Sequence, residues 1–331
     1  MKAVVLVGGQ GTRLRPLTLH TPKQMLPVAG RPMIERVLAH LAAHGVDEVV
    51  LSLGYRPDAF RLAYPSGTCA GVKLHYAVEP EPRDTAGGIA FAARHAGLDE
   101  TFVVQNGDVL TGLDITALVD FHRLQGGEAT ISLTPVDDPS RYGVVATNAD
   151  GRVTAFIEKP PAGTAPSNLI NAGTYVLEPS VIERIAADRP VSIERETFPA
   201  LVVDGSLFAL ASDAEWVDAG TVATYLQANL ALAGREKCWV DDAALVDPGA
   251  RVSGSIIGAG VVVGAGAHVE GALVMAGARV GVGAVVRDSI IGSGATVGDG
   301  AVIEALSILG DGEIVAAGLA ASGQLFPSPL L

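Results

Sequence analysis

Apolar runs and amphipathic segments alternate along the first two thirds of the chain. The run Ala3–Val7 is wholly apolar and stops at a pair of glycines, which is typical of a buried strand. The segment Pro32–His44 instead repeats its apolar residues at helical spacing and stops at Gly45, which predicts a helix. The two spacings therefore separate strands from helices before any other property of the chain is considered.

The same alternation continues to about residue 232. Further strands are predicted at Glu48–Leu53, Val72–Val78 and Phe102–Gln105, and further helices at Pro57–Ala63, Ala86–Ala96 and Ile115–Leu124. Strands predominate from Ala129 to Val217, with a hairpin around Asn148–Gly151, and Thr221–Leu232 is predicted as a closing helix. This order favours an α/β fold, with a Rossmann-like, mixed and mostly parallel sheet covered by helices on both faces.

The last third of the chain repeats one aliphatic residue at steps of five or six. The repeated residues are Val252, Ile257, Val263, Val269, Val274, Val280, Val286, Ile291, Val297, Ile303, Leu309 and Val315. Small residues, mostly glycine, often follow them, and a hexapeptide repeat of this kind indicates a β-helix with one inward-pointing aliphatic side chain on each flat side. Because three steps complete one turn, Ile257, Val274, Ile291 and Leu309 are expected to stack.

Length and composition add a domain division and a location. The 331 residues predict two domains, which the change of periodicity places at 1–232 and 233–331. The chain is 49% hydrophobic and 18% charged, which is enough apolar material for a large core. The two cysteines, Cys69 and Cys238, are far apart, and the N-terminal apolar run is too short for a signal peptide. We therefore expect a cytoplasmic protein without a membrane span.

The charge is distributed unevenly. The net charge of −13 argues against a partner that is nucleic acid or an anionic membrane. Residues 1–36 nevertheless hold six Lys or Arg residues and one Glu, a net charge of +5, which leaves −18 on the rest of the chain. A local cationic segment in an acidic protein suggests a small anionic ligand.

A glycine turn, Gly8-Gly9-Gln10-Gly11, lies inside this cationic segment. It is an incomplete dinucleotide fingerprint, because Leu14 occupies the last glycine position, and it lacks the Gly-Lys pair of a P-loop. Glycines let backbone N–H groups approach phosphate oxygens, Arg13 can clamp two oxygens, and Lys23 adds a point charge. The turn is therefore interpreted as a nucleotide cradle at the carboxyl end of the first strand, with a purely structural turn as the alternative.

A series of motifs along almost the whole chain resembles the NDP-sugar pyrophosphorylase (nucleotidyltransferase) family, and within it the group of mannose-1-phosphate guanylyltransferases. The motifs are Gly8–Leu14, Pro16-Leu17-Thr18, Pro22-Lys23, Leu26-Pro27, Thr85-Ala86-Gly87, Asn106-Gly107-Asp108, Tyr142–Val145, Phe156–Pro160, Asn171-Ala172-Gly173 and Trp216–Gly220. One such motif would be a weak signal, but their order along the chain is that of the family. The hexapeptide repeat resembles the β-helix of sugar-metabolic transferases, which implies a left-handed helix.

The resemblance implies a reaction in which a sugar 1-phosphate attacks the α-phosphorus of an NTP and pyrophosphate leaves. It implies that Asp108 and Asp218 hold Mg²⁺, an ion that accepts one or two carboxylates together with phosphate oxygens. It also implies that Arg13 stabilises the leaving pyrophosphate and that Lys23 bridges phosphates near the reacting centre. Such a transfer depends mainly on alignment and charge neutralisation.

The remaining site residues are also implied by the resemblance. The expected nucleotide-binding residues are Gly8, Gly9, Gly11, Thr12, Arg13, Glu79, Asp84, Thr85 and Gly87. The expected sugar phosphate-binding residues are Gly143, Glu158, Lys159 and Asn171. Lys159 is assigned to the phosphate and Glu158 to the sugar hydroxyls.

The choice of base is inferred from the segment around Glu79. Guanine offers donors on its pairing edge, and a carboxylate such as Glu79 or Glu81 would accept from them, so GTP and mannose 1-phosphate are the expected substrates. Two residues depart from the family pattern: Asp84 stands where glycine is common, and Gln24 stands where proline is frequent. The alternative within the class is therefore a glucose-1-phosphate thymidylyltransferase or uridylyltransferase.

Two further classes of protein are weighed. A non-catalytic regulatory NDP-sugar-binding paralogue would be expected to lose some of Arg13, Lys23, Asp108 and Asp218, all of which are present. An acyltransferase would need more than the lone His268 in the repeat. A β-helix buries its flat faces poorly alone, so a homo-oligomer formed through this domain is expected.

Overall fold

The computed structural model describes residues 1–233 and 238–327. The chain forms two compact units, and each draws on two parts of the sequence. One comprises Met1–Gly9 and Ile34–Trp216 and is called the sheet unit; the other comprises Gln10–Met33 and Val217–Leu331 and is called the β-helix unit. The predicted start of a second domain at residue 233 adjoins residues 234–237, which lie outside the described part, and that division stays a prediction.

The sheet unit is built on one ten-stranded mixed sheet. Its strands are β1 (Lys2–Leu6), β2 (Glu48–Leu53), β3 (Thr68–Cys69), β4 (Val72–Val78), β5 (Phe102–Asn106), β6 (Ala129–Pro135), β7 (Gly143–Thr147), β8 (Val153–Glu158), β9 (Leu169–Leu177) and β10 (Leu207–Ala211). The strand order is β8-β7-β9-β5-β1-β2-β4-β3, and β6 pairs with both β9 and β10. The central strands β5, β1, β2 and β4 are parallel, whereas β9 runs antiparallel to β5. The α/β fold expected from the alternation is confirmed.

Helices pack on this sheet because their apolar faces are buried against it. They are α1 (Met33–Ala43), α2 (Pro57–Ala63), α3 (Asp84–Ala96), α4 (Ile115–Gln125), α5 (Pro179–Glu183), α6 (Phe198–Val203) and α7 (Val222–Ala233), the last of which belongs to the β-helix unit. Small residues of α3 such as Ala86, Ala90 and Ala93 are buried in the main core, which allows this helix to lie close to β1 and β2. A π-helical turn, Ile193–Thr197, precedes α6, and the sequence did not predict it.

The β-helix has three flat parallel sheets. One contains Trp239–Val240, Ile256–Ile257, Leu273–Val274, Ile290–Ile291, Ile308–Leu309 and Leu325–Phe326. The second contains Leu245–Val246, Val262–Val263, Arg279–Val280, Thr296–Val297 and Ile314–Val315, and the third contains Arg251–Ser253, His268–Glu270, Val285–Arg287, Val302–Glu304 and Ala320–Ser322. Residues Ile257, Val274, Ile291 and Leu309 pair in register from coil to coil, as the repeat predicted. The arrangement is consistent with a left-handed β-helix.

The first of these sheets is apolar on its outer side as well. Ile256, Leu273, Ile290 and Ile308 point away from the β-helix core and are still buried. Helix α7, which belongs to the same unit, contacts the strands that carry Ile256 and Leu273. The paired aliphatic residues at every third step of the repeat therefore mark the covered face.

One corner of the β-helix adapts to coils of different length. Most coils turn this corner with a single residue of positive φ, namely Gly254, Gly271, Asp288 or Gly323. The coil from Ile291 to Leu309 has one residue more than its neighbours, and there two consecutive residues, Ala305 and Leu306, have φ of 57° and 62°. The extra residue is absorbed at the corner, so the strands on either side keep their register.

Within residues 1–233 and 238–327, none of the helices is both long and apolar enough to cross a membrane.

Candidate active site

The carboxyl ends of the parallel strands in the sheet unit carry several of the predicted site residues. Leu6 is paired with Asn106, and Leu53 is paired with Val78, so these strands end at one edge of the sheet. Gly8 and Gly9 follow β1, Glu79 follows β4, and Asp108 follows β5 after Gly107. Ligands of open α/β sheets bind at such an edge. The sheet therefore gathers a glycine turn and two carboxylates where the sequence placed them.

Glu79 anchors the turn that leads into α3. The Ser52 hydroxyl donates to Oε1 of Glu79 at 2.8 Å, and the backbone N–H of Arg83 donates to Oε2 at 3.1 Å. A carboxylate has about four acceptor sites, so Glu79 can still accept from a ligand. These contacts hold its carboxylate in one orientation.

Asp84 occupies a backbone conformation that favours glycine. Its φ is 59°, in the left-handed region, and its carboxylate accepts a hydrogen bond from the N–H of Thr85 at 2.8 Å. Asp and Asn enter this region more easily than other residues with a side chain because their short polar groups can hydrogen-bond locally. The conformation explains why glycine suits this position and how Asp84 replaces it.

Thr85 is tied into the protein through both functions of its hydroxyl. The hydroxyl donates to Oε2 of Glu194 at 2.8 Å and accepts from the backbone N–H of Ile193 at 2.8 Å. The N–H of Gly87 donates to the carbonyl of Val191 at 3.1 Å. The predicted nucleotide loop is thus fastened to the segment that forms the π-helical turn, and the sequence gave no signal of this because the partners are more than 100 residues apart.

The predicted sugar-site residues lie on three adjacent strands. Gly143 of β7 is opposite Glu158 of β8, and the pairing of Val144 with Ile170 brings Asn171 of β9 alongside Gly143. A Cβ on Gly143 would lie 2.7 Å from the ring of Phe156 and 3.2 Å from Oε2 of Glu158. Only glycine leaves this space open next to the carboxylate.

Lys159 follows Glu158 in a strained conformation. Its φ is 49°, and its Nζ lies 3.0 Å from Oε1 of Glu158. Its backbone N–H donates to the carbonyl of Tyr142 at 2.9 Å, which fixes the turn. The side chain of Lys159 is 59% exposed, so the ion pair contributes little to stability and the ammonium remains available to an anion. Strain of this kind is concentrated at functional sites.

A β-bulge presents Asn171. Between the pairs Asn171–Leu133 and Tyr175–Ile131, three residues of β9 lie opposite one residue of β6. Side chains satisfy the backbone groups that the bulge removes from the ladder: Trp216 Nε1 donates to Ala172 O at 2.8 Å, Gly173 N donates to Asn171 Oδ1 at 3.0 Å, and Ser132 Oγ donates to Thr174 O at 3.0 Å. Bulges often re-aim a side chain beside an active site.

The bulge also connects two of the sequence motifs. A Cβ on Gly173 would lie 2.7 Å from Nδ2 of Asn106, so the backbone of Gly173 packs directly on that side chain. Asn106 ends β5 and precedes Gly107 and Asp108. The sheet unit therefore brings the Asn171 motif and the Asp108 motif into contact.

The cationic segment belongs to the β-helix unit. Gly11 has φ of 60°, its carbonyl accepts from the Thr18 hydroxyl at 2.8 Å, and a Cβ on it would lie 3.2 Å from Cβ of Lys23. Thr12 begins the short 3₁₀ turn Thr12–Leu14, which carries Arg13. Gly11 therefore allows the turn to pack closely on Lys23, which is buried.

Arg13 and Asp218 are neighbours within the β-helix unit. A Cβ on Gly220 would lie 2.6 Å from Oδ1 of Asp218 and 3.0 Å from Nη2 of Arg13. Both charged groups therefore border the space left by this glycine. Residues so distant in sequence meet because Gln10–Met33 packs within the same unit as Val217–Leu331.

A hairpin holds the cationic segment in place. Its strands are Pro27–Val28 and Arg31–Pro32, and the N–H of Ala29 donates to Oδ1 of Asn229 at 2.9 Å. The Tyr225 hydroxyl donates to the carbonyl of Pro27. A Cβ on Gly30 would lie 2.7 Å from the ring of Trp239 in the first coil of the β-helix. Sequence reasoning missed Tyr225, Asn229 and Trp239 because their function is to anchor other residues.

The two predicted metal ligands fit an ion that phosphate oxygens help to bind. Asp108 and Asp218 are half-buried carboxylates, one in each unit. The described residues contain no group of three or more His, Cys, Asp or Glu side chains that could hold a metal alone. Hard divalent cations accept one or two carboxylates plus substrate phosphates, and this donor set suits that mode.

Two family models match the chain in succession. One, described as Nucleotidyl transferase, matches residues 2–235, and one described as GMPPB C-terminal domain matches residues 235–326. A mannose-1-phosphate guanylyltransferase of Mycobacterium tuberculosis is 42% identical over 276 residues, which cover 79% of this chain and 76% of the relative. A mannose-1-phosphate guanyltransferase of Aspergillus oryzae is 44% identical over 68% of this chain, and the match spans 62% of that relative's length.

A solved structure is similar in sequence and in fold. HddC from Yersinia pseudotuberculosis, complexed with GMP-PN, is 30% identical, with a TM-score of 0.60 over 70% of this chain and 99% of that one. Family enzymes of this type generally use a divalent metal. Since the first family model covers more than half of the chain, the resemblance inferred from the motifs is confirmed, and the chain belongs to the Nucleotidyl transferase family.

Proposed function

We propose that the protein transfers a guanylyl group from GTP to mannose 1-phosphate and releases pyrophosphate. The observation that supports this most strongly is the meeting of Gly143, Glu158 and Asn171 on adjacent strands, with the Asn171 motif packed on the turn that precedes Asp108. The names of the two similar enzymes point to the same substrates, and HddC was solved with a guanosine nucleotide analogue.

The proposed reaction forms one bond and breaks one. A phosphate oxygen of mannose 1-phosphate attacks the α-phosphorus of GTP, the bond to the β-phosphate oxygen breaks, and pyrophosphate leaves with its charge. Arg13 binds the leaving pyrophosphate in a fork, and Lys23 contributes a point charge near the reacting phosphates. Asp108 and Asp218 hold Mg²⁺, whose charge offsets that of the phosphates when it is bound.

The sheet unit supplies the acceptor side of the site in this proposal. Lys159, with an exposed ammonium, binds the phosphate of the sugar. Glu158 accepts hydrogen bonds from sugar hydroxyls, and Asn171 and the backbone at Gly143 line the same pocket. Holding both substrates in line removes most of the entropic barrier to a transfer between two anions.

Base selection is assigned to Glu79. Its carboxylate is held by Ser52 and Arg83 and has acceptor sites left for the N1–H and the amino group of guanine. Thymine and uracil offer one donor between two acceptors, which a carboxylate matches less well. The glycine loop at Gly8 and Gly9 and the backbone of residues 84–87 complete the nucleotide site.

A substrate matrix tests the proposal. GTP, dTTP, UTP and ATP are each combined with mannose 1-phosphate and glucose 1-phosphate in Mg²⁺, and pyrophosphate release is followed. Turnover with GTP and mannose 1-phosphate is expected, and removal of Mg²⁺ with a chelator should stop it reversibly. Preference for dTTP or UTP with glucose 1-phosphate would replace the proposal by a thymidylyl- or uridylyltransferase. Binding of an NDP-sugar without turnover of any pair would indicate a regulatory paralogue.

Two further predictions belong to the same proposal. The paired aliphatic faces of the repeat favour a homo-oligomer formed through the β-helix, which light scattering on the full chain would measure. A cytoplasmic location is expected because the substrates are nucleotides and sugar phosphates, and fractionation of the source cells would test it.

A further inference from the structure

Two hydrogen bonds fix the direction in which the Asn171 amide points. The backbone N–H of Gly173 donates to Oδ1 at 3.0 Å, and Nδ2 donates to the Tyr175 hydroxyl at 3.0 Å. A backbone N–H can only donate, so the first bond identifies the oxygen end of the amide. The protein itself therefore determines which end of Asn171 is the donor.

One hydrogen of Asn171 remains for a ligand. An amide nitrogen carries two hydrogens, and Tyr175 accepts one of them. The hydrogen bonds of Asn171 within the described residues do not use the second. Because Asn171 lies beside Gly143 and Glu158, this N–H belongs to the proposed sugar pocket.

Tyr175 is rigid and neutral. Its side chain is fully buried, and its ring meets the ring of Phe198 edge-on with centroids 5.1 Å apart. Burial raises the pKa of Tyr175, and the nearby carboxylate of Glu194 raises this pKa further, so the phenol keeps its proton. A fixed, uncharged hydroxyl is a well-defined acceptor for one amide hydrogen.

We propose that Tyr175 is a positioning residue for the sugar 1-phosphate: its hydroxyl orients Asn171 so that this amide meets a sugar hydroxyl as a hydrogen-bond donor. This inference rests on the proposed function, because it takes the pocket of Asn171 to be the sugar site. It assigns a direction to the contact. A sugar with a hydroxyl at that carbon can accept the bond, whereas a sugar with an ammonium group there would set donor against donor.

Tyr175→Phe tests this role, since it removes the hydroxyl and keeps the ring that packs on Phe198. The KM for the sugar 1-phosphate is expected to rise about three- to ten-fold, the range that follows from losing one neutral hydrogen bond. The kcat and the KM for the NTP should stay within about two-fold, because the bond lies on the acceptor side of the site. Tyr64→Phe is the matched control: it removes another buried hydroxyl, one that donates to Glu35, and should leave both KM values unchanged.

A double variant separates positioning from general packing. If Tyr175 acts through Asn171, Tyr175→Phe should cause no further rise in KM once Asn171→Ala is present. An equal rise in both backgrounds, or an unchanged KM in Tyr175→Phe alone, would overturn the inference. The assay uses whichever sugar 1-phosphate the wild-type protein turns over, so a different preferred sugar overturns the proposed substrates and leaves the Tyr175 test intact. Absence of turnover with every substrate pair would overturn both.

Discussion

At the scale of single residues, the sequence identifies chemistry better than it identifies partners. Arg13 and Asp218 were predicted as site residues, and the space beside Gly220 brings them together. The partners of Glu79 and Thr85 could not be predicted, because Ser52 and Glu194 are ordinary polar residues elsewhere in the chain. Hydrogen bonds between distant residues depend on the fold, and one sequence contains no record of them.

Asp84 allows a test of backbone strain. Its φ of 59° is tolerated because its carboxylate accepts the Thr85 N–H. Asp84→Gly should leave the free energy of unfolding nearly unchanged, because relief of strain offsets the lost hydrogen bond. Asp84→Ala should lower that free energy by about 1 to 2 kcal/mol, because alanine has the strain without the bond. Urea unfolding of the two variants measures the difference, and equal stabilities would contradict this account.

His40 predicts a loss of stability in mild acid. Burial lowers the pKa of His40 below 6.5, neighbouring His44 lowers it further, and a hydrogen bond to the backbone of Leu113 and the charge of Asp114 oppose the shift. The unfolded chain therefore binds a proton at a higher pH than the folded chain does, so stability falls as the pH drops below 6.5. His40→Leu should reduce this decline between about pH 6.5 and 5 in thermal unfolding. An identical decline in the variant would assign it to other groups.

At the scale of elements, regular repeats were predictable and local irregularities were not. The strands Glu48–Leu53 and Val72–Val78 and the stacking of the β-helix follow from side-chain periodicity alone. Helix α3 begins at Asp84, two residues before the predicted start, because a left-handed residue precedes the helical run. The bulge after Asn171 and the π-helical turn each depend on side chains from other strands, which periodicity does not reveal.

The repeat predicts unequal costs for two isoleucines of the β-helix. Ile291 is fully buried in its core, whereas Ile314 lies on the outer side of a strand and is 75% exposed. Ile291→Ala should lower the free energy of unfolding by about 2 to 5 kcal/mol, because it leaves a cavity among stacked aliphatic residues. Ile314→Ala should change it by less than about 0.5 kcal/mol. Comparable losses in chemical denaturation would mean that the inward and outward positions are exchanged.

At the scale of the whole molecule, the division of the chain crosses the order of the sequence. Residues Gln10–Met33 were expected to belong with the first strand, and they lie in the same compact unit as the β-helix. The sequence could not indicate this, because the anchoring residues Tyr225, Asn229 and Trp239 act through shape and single hydrogen bonds. The phosphate-binding residues Arg13 and Lys23 are thus supported by the C-terminal part of the chain.

Trp239→Ala tests that support. The indole packs directly on Gly30, so its loss should loosen the hairpin that follows Lys23 and raise the KM for the NTP several-fold. The KM for the sugar 1-phosphate should change less, because its proposed residues lie in the sheet unit. Leu245→Ala, in the same first coil and 67% exposed, is the control. A fall in melting temperature with an unchanged KM for the NTP would limit Trp239 to a structural role.

The corner of the β-helix at Ala305 and Leu306 has a practical consequence. A coil that accommodates one additional residue there without disturbing the pairing of Ile291 with Leu309 shows where this architecture tolerates lengthening. A short epitope or fluorophore attachment sequence could be grafted between these two residues. The labelled protein should retain its ladder of hydrogen bonds, which makes this corner a suitable handle for single-molecule work.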